Sequence, residues 1–278
     1  MSVNGDPHPI GVFDSGIGGL TTVRELFQRL PCESVVYFGD TARLPWGNKS
    51  KPTISRFSVE IASFLVRQHV KCVVVACNTA SSHALETLRE RFDVPVIGVI
   101  EPAAQAAVAA SPHGRIGVVG TLATVGSNSY ADAIARLAPQ ATVYQRACPL
   151  FVPLVEEGWL DHAVTRQVAE EYLAELKTAN LDSLILGCTH YPMLAPLLRT
   201  AMGASVRLVD SGAEAAHATA ELLAARGLLA PAGAPEPQHH FFLSDEPRRR
   251  SFARVAESFL GRPLPQVSVL DQTDLPWF

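Results

Sequence analysis

The chain has 278 residues, a length that suits one large domain or two of ordinary size. Its apolar fraction of 47% and its charged fraction of 18% are ordinary for a globular enzyme. The net charge of −4 argues against a nucleic-acid-binding surface, and no apolar run is long enough to cross a membrane. Residues 1–7 lack the pattern of a signal peptide, so we expect a cytoplasmic protein.

Strand and helix patterns alternate along the first hundred residues. Short apolar runs predict strands, and longer segments with apolar residues at helical spacing predict helices. Such alternation is typical of a parallel sheet covered by helices. In chain order the predicted elements are a strand at 10–13, a helix at 20–30, a strand at 34–38, a helix at 53–69, a strand at 72–76, a helix at about 80–91 and a strand at 96–99.

The pattern then restarts, because residues 115–121 resemble residues 9–15. This match and the recurrence of a cysteine setting indicate a duplicated unit of about 100 residues. We therefore predict two pseudo-symmetric α/β domains with mainly parallel sheets. The first domain takes 1–100 together with 212–278, and the second takes 101–211. The segment after 211 is predicted to form a helix at 213–226, a strand at 240–243 and a helix at about 247–260 that starts in the basic run 248–250.

Cys77 and Cys188 occupy the same local setting in the two halves. Each ends a short apolar run and is followed by residues that can open a helix. Both thiols are thus expected at the carboxyl end of a strand, where open α/β sheets bind ligands and helix dipoles lower the pKa of thiols. A single buried cysteine is more often a packing residue. The repeated setting favours a pair that removes a proton from one side of a carbon and delivers one to the other.

No metal or cofactor site is predicted. The five cysteines are an odd number without Cys-x-x-Cys spacing, which indicates neither a disulfide framework nor a zinc site. Pyridoxal phosphate requires a lysine near the site. No lysine ends a strand there, and we interpret the lysines as solvated, namely Lys49, Lys51, Lys71 and Lys177.

The turn at 14–19 follows the first strand and opens a helix, with glycines at 16, 18 and 19. Its spacing fits neither a Walker A loop nor the dinucleotide fingerprint. It is either a plain tight turn or a place where backbone N–H groups approach an anion. Asp14, at the strand end, could pair with a substrate ammonium group.

Polar residues follow each candidate thiol. Asn78 and Thr79 come after Cys77, and Thr189 and His190 come after Cys188. These residues are interpreted as helix caps, as site donors, or as both. His190, two residues from a strand-end cysteine, is a candidate proton partner. The turn at 45–48 is either a loop of the site or part of the surface. Residues 156–157 are by default interpreted as part of a solvated helix face.

These motifs together resemble those of bacterial glutamate racemases, in the aspartate/glutamate racemase superfamily. The resemblance runs in family order from residue 10 to about 211. One departure stands out, since the family commonly has Pro-Tyr-Gly where this chain has Trp46 between Pro45 and Gly47. The matching stretches are 11–20, 37–43, 76–80, 149–158, 186–192 and 208–211.

The resemblance implies a cofactor-independent racemase with its active site at the interface of two α/β domains. It assigns Cys188 to deprotonating L-glutamate and Cys77 to deprotonating D-glutamate. It makes Asp14 the assistant of Cys77 and His190 that of Cys188, with Glu156 or Glu157 as a further polar neighbour. It also implies a homodimer that supplies D-glutamate for peptidoglycan. The implied substrate contacts are Asp14, Ser15, Trp46, Gly47, Asn78, Thr79, Thr189 and His190.

Three alternatives stay open. The substrate could be aspartate or another small acid, because one methylene changes binding by only about 1–3 kcal/mol. The chain could be a binding protein that regulates a partner, although such a role needs neither thiol. A thiol hydrolase would explain only one of the two cysteines.

Overall fold

The structure is a computed structural model that describes residues 5–245, 252–264 and 266–270. It contains two sheets in which all strand pairs are parallel, which confirms the predicted α/β class. The strands are β1 (Ile10–Asp14), β2 (Val35–Gly39), β3 (Cys72–Val75), β4 (Val96–Gly98), β5 (Arg115–Gly120), β6 (Thr142–Ala147), β7 (Ser183–Gly187), β8 (Arg207–Asp210), β9 (His239–Leu243) and β10 (Val267–Val269).

The same strand order occurs in both sheets. The first four strands are ordered β2-β1-β3-β4, and the next four are ordered β6-β5-β7-β8. The first sheet continues beyond β2 with β9 and β10, so the C-terminal segment returns to the first half of the chain. These pairings support the proposed division into 1–100 with 212–278 and 101–211, whose boundaries stay a prediction.

Helices cover the sheets, and β1, β2, β3 and β7 are therefore buried along their whole length. Three short 3₁₀ turns lie at Thr41–Arg43, Trp46–Asn48 and Tyr191–Leu194. None of the helices described is long and apolar enough to cross a membrane. The α-helices are α1 (Leu20–Arg29), α2 (Lys51–Arg67), α3 (Asn78–Arg91), α4 (Ile100–Ala109), α5 (Leu122–Gly126), α6 (Ser129–Leu137), α7 (Phe151–Glu156), α8 (Ala163–Thr178), α9 (Ala195–Met202), α10 (Ser211–Ala225) and α11 (Phe252–Leu260).

Most of the predicted elements lie within about two residues of those observed. Helix α3 begins two residues early because the Cys77 thiol itself caps it, accepting a hydrogen bond from the Ala80 N–H. The predicted helix at 247–260 is observed as α11 over its last nine residues. Its first part, with the basic run 248–250, lies outside the described residues.

The interpretation of Lys71 as a solvated residue is wrong. Its side chain is fully buried, and its ammonium group lies 2.5 Å from the Glu33 carboxylate. The same group donates hydrogen bonds to the carbonyls of Asp6 and Leu228, each at 2.8 Å. A buried charge of this kind is tolerated only with such partners.

Candidate active site

A cavity of about 420 Å³ lies where the carboxyl ends of the two sheets meet. This is the edge at which parallel sheets bind ligands. Both halves of the chain contribute to its wall, as the sequence predicted for a site between two domains. The lining residues discussed below are Ser15, Gly16, Trp46, Gly47, Cys77, Asn78, Thr79, Thr121, Glu156, Cys188, Thr189 and His190.

Cys77 enters the cavity from the first half. It follows β3, its side chain caps α3, and only 4% of the residue is exposed. The thiol lies 3.6 Å from the Ser15 hydroxyl and 3.4 Å from the Ala80 N–H. Burial, together with the nearby Asp14 carboxyl, raises the pKa of Cys77 to about 12. Cys77 is thus a thiol, able to donate a proton, at neutral pH.

Asp14 ends β1 and lies behind the cavity wall, with no exposed surface. Its Oδ2 accepts a hydrogen bond from the Gly16 N–H at 3.1 Å, while Oδ1 has no hydrogen-bond partner among the described residues. Burial raises the pKa of Asp14, and the positive charge of His190 opposes that rise. Asp14 is therefore placed to act on the Cys77 thiol through the electrostatic effect of its carboxyl group. Direct contact between its carboxylate and a ligand would require the wall to move.

Cys188 enters from the second half, directly after β7, and is 6% exposed. Its sulfur lies 3.9 Å from Nδ1 of His190, whose Nε2 lies 3.2 Å from the Glu156 carboxylate. Burial disfavours the charged imidazole, but hydrogen bonds to Cys188 and Glu156 outweigh burial and raise the pKa of His190 to about 10. The predicted proximity of Cys188 and His190 is observed. The default interpretation of Glu156 as part of a solvated face is wrong, because its carboxylate completes a thiol–imidazole–carboxylate chain.

Trp46 is part of the cavity wall rather than of the surface. The residue is 1% exposed, and its indole N–H donates to the Asp40 carboxylate at 3.1 Å. The next residue, Gly47, lies so close to the second half that an added Cβ would be 3.1 Å from Cβ of Thr121. The turn at Trp46–Asn48 therefore closes the cavity between the two halves.

Asn78 and Thr79 link the halves at the start of α3. Asn78 accepts a hydrogen bond from the Tyr130 hydroxyl at 2.6 Å and donates one to Ser211 at 3.1 Å. Thr79 and Thr121 have their hydroxyl oxygens 2.9 Å apart. These contacts orient both predicted donors toward the interface.

Thr189 joins the opposite wall to the turn at 14–19 and to the start of α1. Its carbonyl accepts a hydrogen bond from the Thr21 hydroxyl at 3.1 Å. An added Cβ at Gly18 would be 2.2 Å from the Thr189 hydroxyl and 2.6 Å from Nδ1 of His190. Glycine is needed at position 18 because the two halves touch there.

The sequence interpretation missed three residues of this site, namely Thr121, Tyr130 and Ser211. A signal existed for Thr121, which occupies the place in 115–121 that Ser15 occupies in 9–15. Ser211 ends the matching stretch 208–211, but no local pattern gives it or Tyr130 a role, since each acts through the folded contact with Asn78. Across the residues described, no group of three or more His, Cys, Asp or Glu side chains could hold a metal ion.

Comparison with known proteins gives a consistent result. The family model for Asp/Glu/Hydantoin racemase matches residues 19–219. A glutamate racemase from Geobacter metallireducens is 51% identical over 93% of this chain and 94% of its own length. Crystal structures of glutamate racemases from Bacillus anthracis and from Francisella tularensis, the latter in complex with D-glutamate, superpose with TM-scores of 0.89 and 0.88. Their sequences are 40% and 38% identical to this chain, respectively. The superpositions cover 97% and 96% of this chain and 98% of each crystallised chain.

The two-sheet architecture, the cavity between the sheets and these similarities over nearly the whole chain agree with one another. The chain belongs to the Asp/Glu/Hydantoin racemase family and, within it, to the glutamate racemases, and it is an amino-acid racemase.

Proposed function

We propose that the protein interconverts L- and D-glutamate by a two-base mechanism that uses Cys77 and Cys188 and no cofactor. The observation that carries the proposal is that two thiols, each after an equivalent strand of its sheet, line one cavity. The relatives named above are glutamate racemases, and one was crystallised with D-glutamate.

In the direction from L-glutamate, Cys188 is the base. A protonated His190, held by Glu156, stabilises the thiolate of Cys188. The Cα–H bond breaks, its proton goes to the sulfur of Cys188, and the electron pair stays on Cα. That pair then takes the proton of the Cys77 thiol on the other face, which yields D-glutamate and a Cys77 thiolate. The reverse direction exchanges the two roles.

The cavity supports the charge that develops on the substrate carboxylate. The N–H groups at the start of α3, together with the hydroxyls of Ser15, Thr79 and Thr189, are preorganised donors at the two strand ends. The turn at Trp46–Asn48 restricts the access of water, which protects the carbanion-like species from stray protonation. Burial, together with the nearby Asp14 carboxyl, keeps Cys77 protonated until the proton is needed.

Serine variants of the two cysteines test this proposal. Cys77→Ser and Cys188→Ser are each expected to lower kcat for racemisation by about 10²- to 10⁴-fold, because serine is a far weaker acid. The assay follows optical rotation with L- and with D-glutamate. Cys148→Ser is the matched control, since that buried cysteine does not line the cavity, and its turnover should stay near wild type. Normal turnover by either site variant, with the fold confirmed by circular dichroism, would rule the mechanism out.

The substrate is tested by comparing kcat/KM for glutamate and aspartate in the same assay. We propose a preference for glutamate because the relatives at 51% and 40% identity are glutamate racemases. A higher value with aspartate would overturn the assignment.

We propose further that the enzyme is a cytoplasmic homodimer that supplies D-glutamate for peptidoglycan. The support for this is the family resemblance of the motifs around both cysteines. Analytical ultracentrifugation of the purified chain tests the dimer, and a monomer at micromolar concentration would contradict it.

A further inference from the structure

A buried carboxylate lies next to the cavity wall and is not part of the mechanism above. Asp40 follows β2 and has no exposed surface. Its Oδ2 accepts hydrogen bonds from Nε of Arg43 at 2.7 Å and from the indole N–H of Trp46 at 3.1 Å, and its Oδ1 accepts one from the Ser244 hydroxyl at 2.8 Å. Three donors converge on this one carboxylate, so residues 40–46 fold around it.

The bond to Trp46 determines how the indole lies. The indole has a single donor, so a hydrogen bond to a fixed acceptor selects one orientation of the ring. The ring packs on Phe57 with a centroid distance of 5.5 Å, and Trp46 is one of the residues that line the cavity. Gly47 follows and contacts Thr121 of the second half. A shift of the indole would therefore move the part of the wall that joins the two halves.

The same carboxylate ties this wall to β9, in the segment that returns to the first sheet. Ser244, directly after β9, donates to Asp40 and accepts a hydrogen bond from the Ala42 N–H at 2.9 Å. The Thr41 hydroxyl donates to the Asp245 carbonyl at 2.8 Å. These residues of the returning segment lie beyond the 19–219 region that the family model matches. The strand thus braces the cavity without lining it.

We propose that Asp40 is a positioning residue that fixes the Trp46 indole against the cavity and thereby sets the affinity for substrate. Its Oδ2 accepts from both the indole and Arg43, and its Oδ1 accepts from Ser244. Asp40 takes no part in proton transfer, so its loss should weaken substrate binding more than turnover. The kinetic part of this inference rests on the proposed racemisation of glutamate, and the spectroscopic part does not.

The kinetic test is a double-mutant cycle between Asp40 and Trp46. Asp40→Ala and Trp46→Phe are each expected to raise KM for glutamate about tenfold while kcat falls less than about threefold, since both displace the same wall. The double variant should have a KM within about twofold of the worse single variant, because its two changes remove one interaction. Asp40→Asn restores an acceptor for the indole and should recover most of the lost affinity.

Glu60→Gln is the matched control. Glu60 pairs with Arg43, as Asp40 does, but among the residues described the indole of Trp46 donates to Asp40 and not to Glu60. Its KM should stay within about twofold of wild type if positioning of the indole, rather than the charge around Arg43, is what matters. Effects of Asp40→Ala and Trp46→Phe that multiply in the double variant would overturn the proposal, as would an unchanged KM in Asp40→Ala.

Fluorescence tests the contact without relying on activity. The emission of Trp46 is obtained by subtracting the spectrum of Trp46→Phe, which retains the other two tryptophans, Trp159 and Trp277. Loss of the Asp40 bond should shift this emission to longer wavelength as water reaches the indole, and an unshifted emission would contradict the inference.

If Asp40→Ala does not fold, Ser244→Ala takes its place. It should raise KM in the wild-type background but not in Trp46→Phe.

Discussion

Cys77 and Cys188 occupy equivalent strand ends and are almost equally buried, yet their neighbours differ. Cys77 lies near the carboxyl of Asp14, which adds to the effect of burial in raising its pKa. Cys188 contacts His190, whose pKa is raised to about 10. In the proposed mechanism this difference places the proton donor on one wall and the base on the other when the substrate is L-glutamate.

Alkylation with iodoacetamide tests this difference. Only the thiolate reacts, and with a pKa of about 12 Cys77 should react about tenfold faster for each pH unit between pH 7 and 10. Cys188, beside the imidazolium, should be modified first at pH 7.5. Peptide mass spectrometry measures both sites in one sample, and the similar exposures of 4% and 6% make access comparable. Faster labelling of Cys77 than of Cys188 would contradict the assignment.

Glu156 is expected to govern the pH range of activity through His190. The hydrogen bond that Nε2 of His190 donates to Glu156 helps to raise the pKa of that imidazole, so kcat/KM should fall as the pH rises through about 10 and the imidazolium is lost. In Glu156→Gln the negative charge is gone, the pKa of His190 drops, and the alkaline limb should move to lower pH. Glu157→Gln should leave that limb in place. The reverse result would assign the role to Glu157.

The turn that leads into α1 requires a residue without a side chain at position 18. At Gly18 a Cβ would collide with Thr189 and His190 of the other half. Gly18→Ala should push His190 away from Cys188 and reduce kcat for racemisation by about tenfold or more, since a shift of about 1 Å near reacting groups is costly. Gly126→Ala in α5 is the control, because nothing lies within 4 Å of its Cβ, and it should leave activity unchanged. Equal activity of the two variants would contradict this account.

At the level of elements, the sequence predicts those helices, strands and turns that depend only on local residue patterns. Apolar runs locate β1, β3 and β7, and the residues after them locate both thiols and the turn at 14–19. The sequence does not decide whether the turn at 45–48 belongs to the site or to the surface. Its burial depends on Asp40 and on Ser244, which is about two hundred residues further along the chain. The burial of Lys71 was missed for the same reason, since its partners come from distant segments.

At the scale of the molecule, the Lys71–Glu33 pair fastens the returning segment to the first sheet. Lys71 lies in the loop directly before β3. Its ammonium group donates a hydrogen bond to the Leu228 carbonyl, shortly after the end of α10. Glu33 accepts a hydrogen bond from the Ala230 N–H at 2.7 Å. One buried pair thus joins three distant stretches of chain at the edge of the sheet away from the cavity.

Breaking this pair should destabilise the whole fold. Lys71→Met leaves the Glu33 carboxylate buried without its cation, and the free energy of unfolding should fall by about 3–5 kcal/mol. Urea denaturation measures the change. The control is Arg89→Met, which removes a half-exposed pair with Glu101 and should cost less than about 1 kcal/mol. Equal losses in the two variants would show that the buried pair has no special role.

The central claim is that two thiols exchange protons with opposite faces of one carbon. The most direct test incubates the purified protein with L-glutamate in D₂O, without added cofactor, and follows optical rotation and deuterium at Cα. The account predicts loss of rotation, with deuterium present in D-glutamate from the first turnovers while the remaining L-glutamate stays protiated. Unchanged rotation with folded, reduced protein, or D-glutamate that retains the original proton, would contradict it.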